Sequence, residues 1–126
     1  MTIPHKAHSP GFLALVKDAK SRIEEVDIAA YQEMPRAGHL LIDVREDHEW
    51  AAGHAAGAIH MSKGTIERDI EVRVPDTSAQ MVLYCGGGYR SALVADALRK
   101  MGYRHAISLD GGWRAWNEAG LPVVKD

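Results

Sequence analysis

The sequence predicts an α/β fold: a small, mainly parallel β-sheet with helices on both faces, plus an extra helix at the N-terminus. Three observations carry this expectation. Residues 39–44, 81–84 and 105–109 are short, mostly apolar runs bounded by turn-forming residues, the pattern of strands buried within a parallel sheet. After residue 91 the period changes: Leu93, Val94, Ala97, Leu98 and Met101 share one helical face, closed by Gly102. Strand and helix patterns also alternate along the chain, the order of an α/β domain.

Each element has a local reason. Residues 1–8 are polar and expected to form a mobile tail. Ser9-Pro10 reads as an N-cap and first helical position for a helix over 10–21, with Phe12, Leu13, Val16 and Ala19 on one face and Lys17, Lys20 and Arg22 near its end. That helix is expected to pack on the domain, with an interface role as the alternative, giving a division into 1–22, tail and helix, and 23–126, the domain proper. Residues 23–26 form a short edge strand, and Asp27 caps a helix to Met34, stopped by Pro35. After a turn at Gly38, strand 39–44 delivers Asp43 and Arg45 to its carboxyl end, where ligands bind in open parallel sheets. Arg45 and Glu49, four apart, are expected to pair along a short helix over 47–52. Gly53-His54 and Gly57-Ala58-Ile59-His60 suggest a turn and then a very short strand. A helix over 62–72 turns Ile66 and Ile70 inward and leaves its charged residues solvated. Pro75-Asp76-Thr77-Ser78 turns the chain into strand 81–84. Beyond strand 105–109, Asp110-Gly111-Gly112 opens a short helix whose Trp113 and Trp116, three residues apart, share a face as core anchors.

Composition narrows the function. With 126 residues the chain makes one domain with an ordinary core. Its 15 basic and 17 acidic residues leave a net charge of −2, which argues against a general nucleic-acid or anionic-membrane binder. A single cysteine excludes an internal disulfide and suits a reducing compartment, so the expected location is cytoplasmic. No stretch approaches the roughly 20 apolar residues of a membrane span, and the N-terminus lacks the layout of a signal peptide. The seven histidines, including His5 with His8 and His54 with His60, have no carboxylate or thiol cluster of zinc-site spacing beside them, so neither metal nor cofactor is expected.

The stretch carrying chemistry is Val82-Leu83-Tyr84-Cys85-Gly86-Gly87-Gly88-Tyr89-Arg90-Ser91. It places the only cysteine between a buried strand and a helix start, in a turn of six residues from Cys85 to Arg90, half of them glycine. Consecutive glycines are entropically costly and suit a backbone needing positive φ or close approach to a ligand. Such a loop aims unpaired N–H groups and the positive end of a helix dipole at one point, an arrangement that stabilises anions and thiolates. Arg90 adds a fixed charge and a planar fork of donors. The alternative is a glycine-rich turn around an inert buried cysteine.

With these residues in view, the chain resembles a single-domain rhodanese, a sulfurtransferase that carries sulfur as a cysteine persulfide. Besides the Cys85 loop, Leu41-Ile42-Asp43-Val44-Arg45-Glu46, Glu49-Trp50 and Gly53-His54-Ala55-Ala56-Gly57-Ala58-Ile59-His60 resemble the family's first motif, and Leu109-Asp110-Gly111-Gly112-Trp113-Arg114-Ala115-Trp116 its last. Ala55-Ala56 stand where the family usually carries bulkier residues. The resemblance implies that Cys85 is the catalytic nucleophile, that Gly86, Gly87, Gly88, Tyr89, Arg90 and Ser91 bind substrate, and that Asp43 supports the loop. It further implies transfer of a sulfane sulfur from thiosulfate or a persulfide donor to cyanide or a thiol, with a sulfur-accepting protein as a further expected partner. Tyrosine-phosphatase-like enzymes and arsenate reductases, which place five residues between Cys and Arg, are the rival class; here there are four, Gly86 to Tyr89. A non-catalytic rhodanese-like interaction module is the remaining alternative.

Overall fold

Five strands run parallel in one sheet, in the spatial order Glu24–Val26, Ala106–Leu109, Met81–Tyr84, Leu40–Asp43, Ile59–His60. The computed structural model describes residues 8–35 and 37–126, so residues 1–7 of the expected tail over 1–8, His5 among them, lie outside the described residues. The sheet strands are β1 (Glu24–Val26), β2 (Leu40–Asp43), β4 (Ile59–His60), β5 (Met81–Tyr84) and β6 (Ala106–Leu109). Between them lie α2 (Ile28–Glu33), α3 (Asp47–Ala51), α4 (Ile66–Arg73) and α5 (Tyr89–Lys100), with α1 (Pro10–Lys20) before and α6 (Gly112–Glu118) after.

Because successive strand residues face opposite ways, the central strands feed two cores. Ile42, Val44, Met81 and Leu83 pack with Ile66 and Ile70 of α4 and with Val94 and Leu98 of α5, and Cys85 belongs to this cluster. Leu41, Val82, Tyr84 and Leu109 pack with Tyr31 of α2 and Trp116 of α6. Helices therefore cover both faces, as expected. The cores also explain why β5 carries no polar residue: all four of its side chains are buried.

Helix α1 lies against α5, burying Val16 and Ala19. Arg22, just beyond it, donates to Asp96 of α5 at 2.7 and 3.0 Å. Pro10 occupies the first turn, but Ser9 makes no side-chain cap bond. Asp27 does cap α2, accepting from the Ala30 N–H at 2.8 Å.

Two helix starts and one strand pairing depart from the sequence reading. Helix α4 begins at Ile66 rather than Ser62, because the Lys63 N–H bonds back to the Val44 carbonyl at 3.0 Å and ties that segment to the end of β2. Helix α5 begins at Tyr89 rather than Ser91, so Tyr89 and Arg90 form its first turn. A second, antiparallel ribbon was not foreseen: β3 (His54–Ala55) pairs with β7 (Val123–Val124), each too short to show a period.

Candidate active site

Cys85 follows the last residue of β5 and is almost fully buried, at 1% exposure. Its sulfur lies 3.1 Å from the Gly88 N–H and 3.4 Å from the Ser91 N–H. The thiol can also donate to Ser91 Oγ at 3.5 Å, which lies 2.8 Å from Ser108 Oγ on β6. Both serines are completely buried, so a chain of two hydroxyls backs the sulfur. A hydroxyl both donates and accepts; the chain can accept from a thiol or turn and donate to an anionic sulfur, leaving no polar atom orphaned in either state.

The loop conformation follows from its neighbours more than from its own glycines. Of Gly86, Gly87 and Gly88, only Gly88 has a positive φ, +105°, as the residue capping α5; of the two expected reasons for the glycines, positive φ applies there alone. A Cβ on Gly88 would also stand 3.2 Å from the Gly111 nitrogen. Gly86 and Gly87 instead leave room for two guanidinium groups: Cβ atoms there would lie 3.2 Å from Arg90 and 3.4 Å from Arg114.

The start of α6 then holds the loop from outside. The Trp113 N–H donates to the Cys85 carbonyl at 2.7 Å and the Arg114 N–H to the Gly86 carbonyl at 3.1 Å. Gly112, at φ +48°, permits this approach, since a Cβ there would fall on the Cys85 carbonyl oxygen and 3.0 Å from its carbon. The second glycine-rich junction therefore seats the first, a role the sequence reading missed although both follow a strand and open a helix.

Two charged residues are paired differently from the sequence reading. Arg45 does not pair with Glu49. It is 3% exposed, donates to both Asp43 oxygens at 2.8 to 3.1 Å and to the Gly53 carbonyl at 2.7 Å, and stacks 4.4 Å from the Trp113 ring. Asp43 is fully buried and needs a counter-charge; Arg45 precedes α3, so the four-residue helical spacing does not apply to it, whereas two residues apart on extended chain share a side. Glu49 instead takes the fork of Arg90, at 2.7 and 3.1 Å. Those hydrogen bonds, against the opposing effect of burial, pull the Glu49 pKa down to about 2.

Asp43 reaches the loop through one intermediary. It accepts from the Tyr84 hydroxyl at 2.6 Å, and that hydroxyl accepts from the Ala55 N–H at 3.0 Å. Burial first, then the hydrogen bond to Asp43, raises the Tyr84 pKa. The carboxylate thus anchors the residue before Cys85 and does not touch the glycines. His54 and His60 both stack on Trp50, with ring centres 3.4 and 4.9 Å away, and among the described residues no group of three or more His, Cys, Asp or Glu could hold a metal ion.

Cys85, Tyr89 and Arg90 open into a cleft of about 1250 Å³ that also includes Phe12 and Lys20 of α1 and Arg114 of α6. Tyr89 forms its aromatic wall: His8 lies 5.0 Å and Phe12 6.3 Å from the tyrosine ring centre, and Lys20 Nζ 5.3 Å. Helix α1 is therefore part of the site, which its amphipathic pattern alone did not reveal. A smaller cavity of about 360 Å³ beside Asp47, His60 and Asp69 does not include Cys85.

A model of the rhodanese-like domain family matches residues 17–119. Among solved structures, a Rhodopseudomonas palustris protein of unknown function, designated a possible tyrosine phosphatase, is 27% identical, with TM-score 0.80 over 98% of this chain and 100% of its own. The polysulfide-sulfur transferase homodimer of Wolinella succinogenes is 30% identical, with TM-score 0.75 over 90% of this chain and 87% of its own. The thiosulfate sulfurtransferase of Pseudomonas aeruginosa shares the fold at 19% identity, with TM-score 0.76 over 90% of this chain and 22% of that one.

Proposed function

Because the chain belongs to the rhodanese-like domain family, we propose that it is a sulfurtransferase moving a sulfane sulfur through a persulfide on Cys85. In the first step the Cys85 thiolate attacks the outer sulfur of thiosulfate. A sulfur–sulfur bond forms to Cys85 as the sulfur–sulfur bond of the donor breaks, and sulfite leaves with that electron pair. In the second step a thiophile, cyanide in an assay or a thiol, attacks the terminal sulfur and restores the thiolate. A persulfide donor or a sulfur-accepting protein would enter the same two steps.

The observation carrying this reading is the pair of backbone N–H groups, from Gly88 and Ser91, aimed at the cysteine sulfur at 3.1 and 3.4 Å. Preorganised donors of this kind stabilise charge developing in a transition state, each typically worth about 3 kcal/mol. Gly86 and Gly87 keep Cβ atoms out of the space beside Arg90 and Arg114, where a terminal sulfur can sit. The similarity to a possible tyrosine phosphatase keeps phosphate-ester hydrolysis as the second reading. The four-residue spacing between Cys85 and Arg90 favours sulfur, because it makes a tighter loop than the five-residue spacing of phosphatases.

Brief exposure to thiosulfate, followed by intact-mass measurement, tests the proposal. The expected product is heavier by one sulfur on Cys85, reversed by cyanide or a reductant and absent in Cys85→Ala. Unmodified or disulfide-linked protein, together with turnover of aryl phosphates, would transfer the assignment to the phosphatase reading.

A further inference from the structure

Arg90 has a partner before any substrate arrives. Its Nη1 and Nη2 donate to the two carboxylate oxygens of Glu49 at 2.7 and 3.1 Å, which uses the fork that would otherwise match an oxyanion. The carboxylate is itself pinned, because Glu49 Oε1 also accepts from the Glu46 N–H at 3.0 Å. With its pKa held down to about 2, Glu49 stays charged at neutral pH. Arg90 meanwhile reaches the loop, its guanidinium 3.2 Å from where a Cβ on Gly86 would be, so both members of the pair border the same cleft as Cys85. The rest of the cleft supplies no surplus of positive charge. Among the described residues lining it, Lys20, Arg90 and Arg114 are matched by Glu49, Asp110 and Glu118, and Lys20 lies 3.3 Å from Glu25 and 3.9 Å from Asp110.

We infer that Glu49 determines donor specificity: by occupying Arg90 and keeping a carboxylate beside it, Glu49 disfavours doubly charged thiosulfate and makes singly charged sulfane donors, thiosulfonates and alkyl persulfides, the preferred class. The inference rests on the sulfurtransferase reading and narrows it. Backbone N–H groups at a strand-to-helix loop suit one charge carried on sulfur. Thiosulfate brings a second charge on its sulfonate oxygens, which must either displace Glu49 from Arg90 or sit against the carboxylate. Repulsion of the wrong ligand discriminates as well as attraction of the right one, and this partly buried pair is screened by salt less than an exposed one. Thiosulfate remains a donor, but a slower one. The chemistry is the same for the preferred class: the Cys85 thiolate attacks the outer sulfur of a thiosulfonate, the new sulfur–sulfur bond forms as the donor's breaks, and a sulfinate leaves with that electron pair.

The test compares thiosulfate with methanethiosulfonate, which presents the same outer sulfur on a sulfonyl group but carries one charge fewer. The rate at which each forms the one-sulfur adduct is followed by intact mass in wild type, Glu49→Gln and Glu49→Asp. Differences in leaving group and in the fraction of folded protein cancel when the ratio of the two rates is compared between proteins. In Glu49→Gln the ratio of thiosulfate to methanethiosulfonate should rise about tenfold, the scale of one charge-assisted hydrogen bond, whereas Glu49→Asp, which keeps the charge, should stay near the wild-type ratio. A ratio unchanged in Glu49→Gln, even with both rates reduced, would make Glu49 only a prop for the loop, and a lowered ratio would mean that it aims Arg90 at the donor. Either result overturns the inference while the persulfide reading stands. Failure of both donors to form the adduct in wild type overturns both.

Discussion

Replacing Gly112 by alanine tests whether α6 seats the cysteine loop. The added Cβ would fall on the Cys85 carbonyl oxygen and 3.0 Å from its carbon, backbone atoms that cannot swing aside as a side chain can. Relieving the clash means separating α6 from the loop, which strains the hydrogen bonds from Trp113 to Cys85 at 2.7 Å and from Arg114 to Gly86 at 3.1 Å. Overpacking costs about 1–3 kcal/mol, two weakened hydrogen bonds about 0.5–1.5 each, and a non-glycine residue at left-handed φ about 1–2, a sum of roughly 3–8 kcal/mol. Small domains typically have about 5–15 kcal/mol to lose. Gly120→Ala is the matched control, with φ +70° and nothing within 4 Å of the added atom, so it should carry only the backbone cost. Urea unfolding followed by tryptophan fluorescence reads both, and Gly112→Ala should unfold at a far lower midpoint. If it cost no more than Gly120→Ala, the packing of α6 on the loop would not be what holds Cys85 in place.

Two further outcomes follow from the site. Glu49 has a folded-state pKa of about 2, below the ordinary 4.5, so its pairing with Arg90 adds stability above about pH 4.5 that is lost as the pH falls towards 2. Unfolding free energies should therefore show the advantage of wild type over Glu49→Gln shrinking across that window; a constant difference would show that the carboxylate's charge does not stabilise the fold. Ser108→Ala removes the hydroxyl partner of buried Ser91 at 2.8 Å and should cost about 1–3 kcal/mol, with slower sulfur transfer at unchanged KM for thiosulfate. A raised KM with unchanged kcat would place Ser108 in donor binding instead of behind the nucleophile.

Local pattern alone determined much of this protein. The apolar runs, the helical spacing after Ser91 and the alternation of the two specify a parallel sheet covered on both faces, because burial on two sides demands apolar residues throughout a strand and on only one face of a helix. The cysteine was legible as a site for the same reason: a lone thiol, glycines and an arginine crowd one strand-to-helix junction within ten residues. Tertiary structure decided the partners. Arg45 turns to Asp43 and Arg90 to Glu49 because burial selects the nearest opposite charge in space, whereas sequence spacing ranks only neighbours along one helix. Ser108, Gly112, Arg114 and Phe12 join the site from β6, α6 and α1, elements brought to the carboxyl end of β5 by strand order and helix packing. No periodicity in one segment records what another segment will lie against.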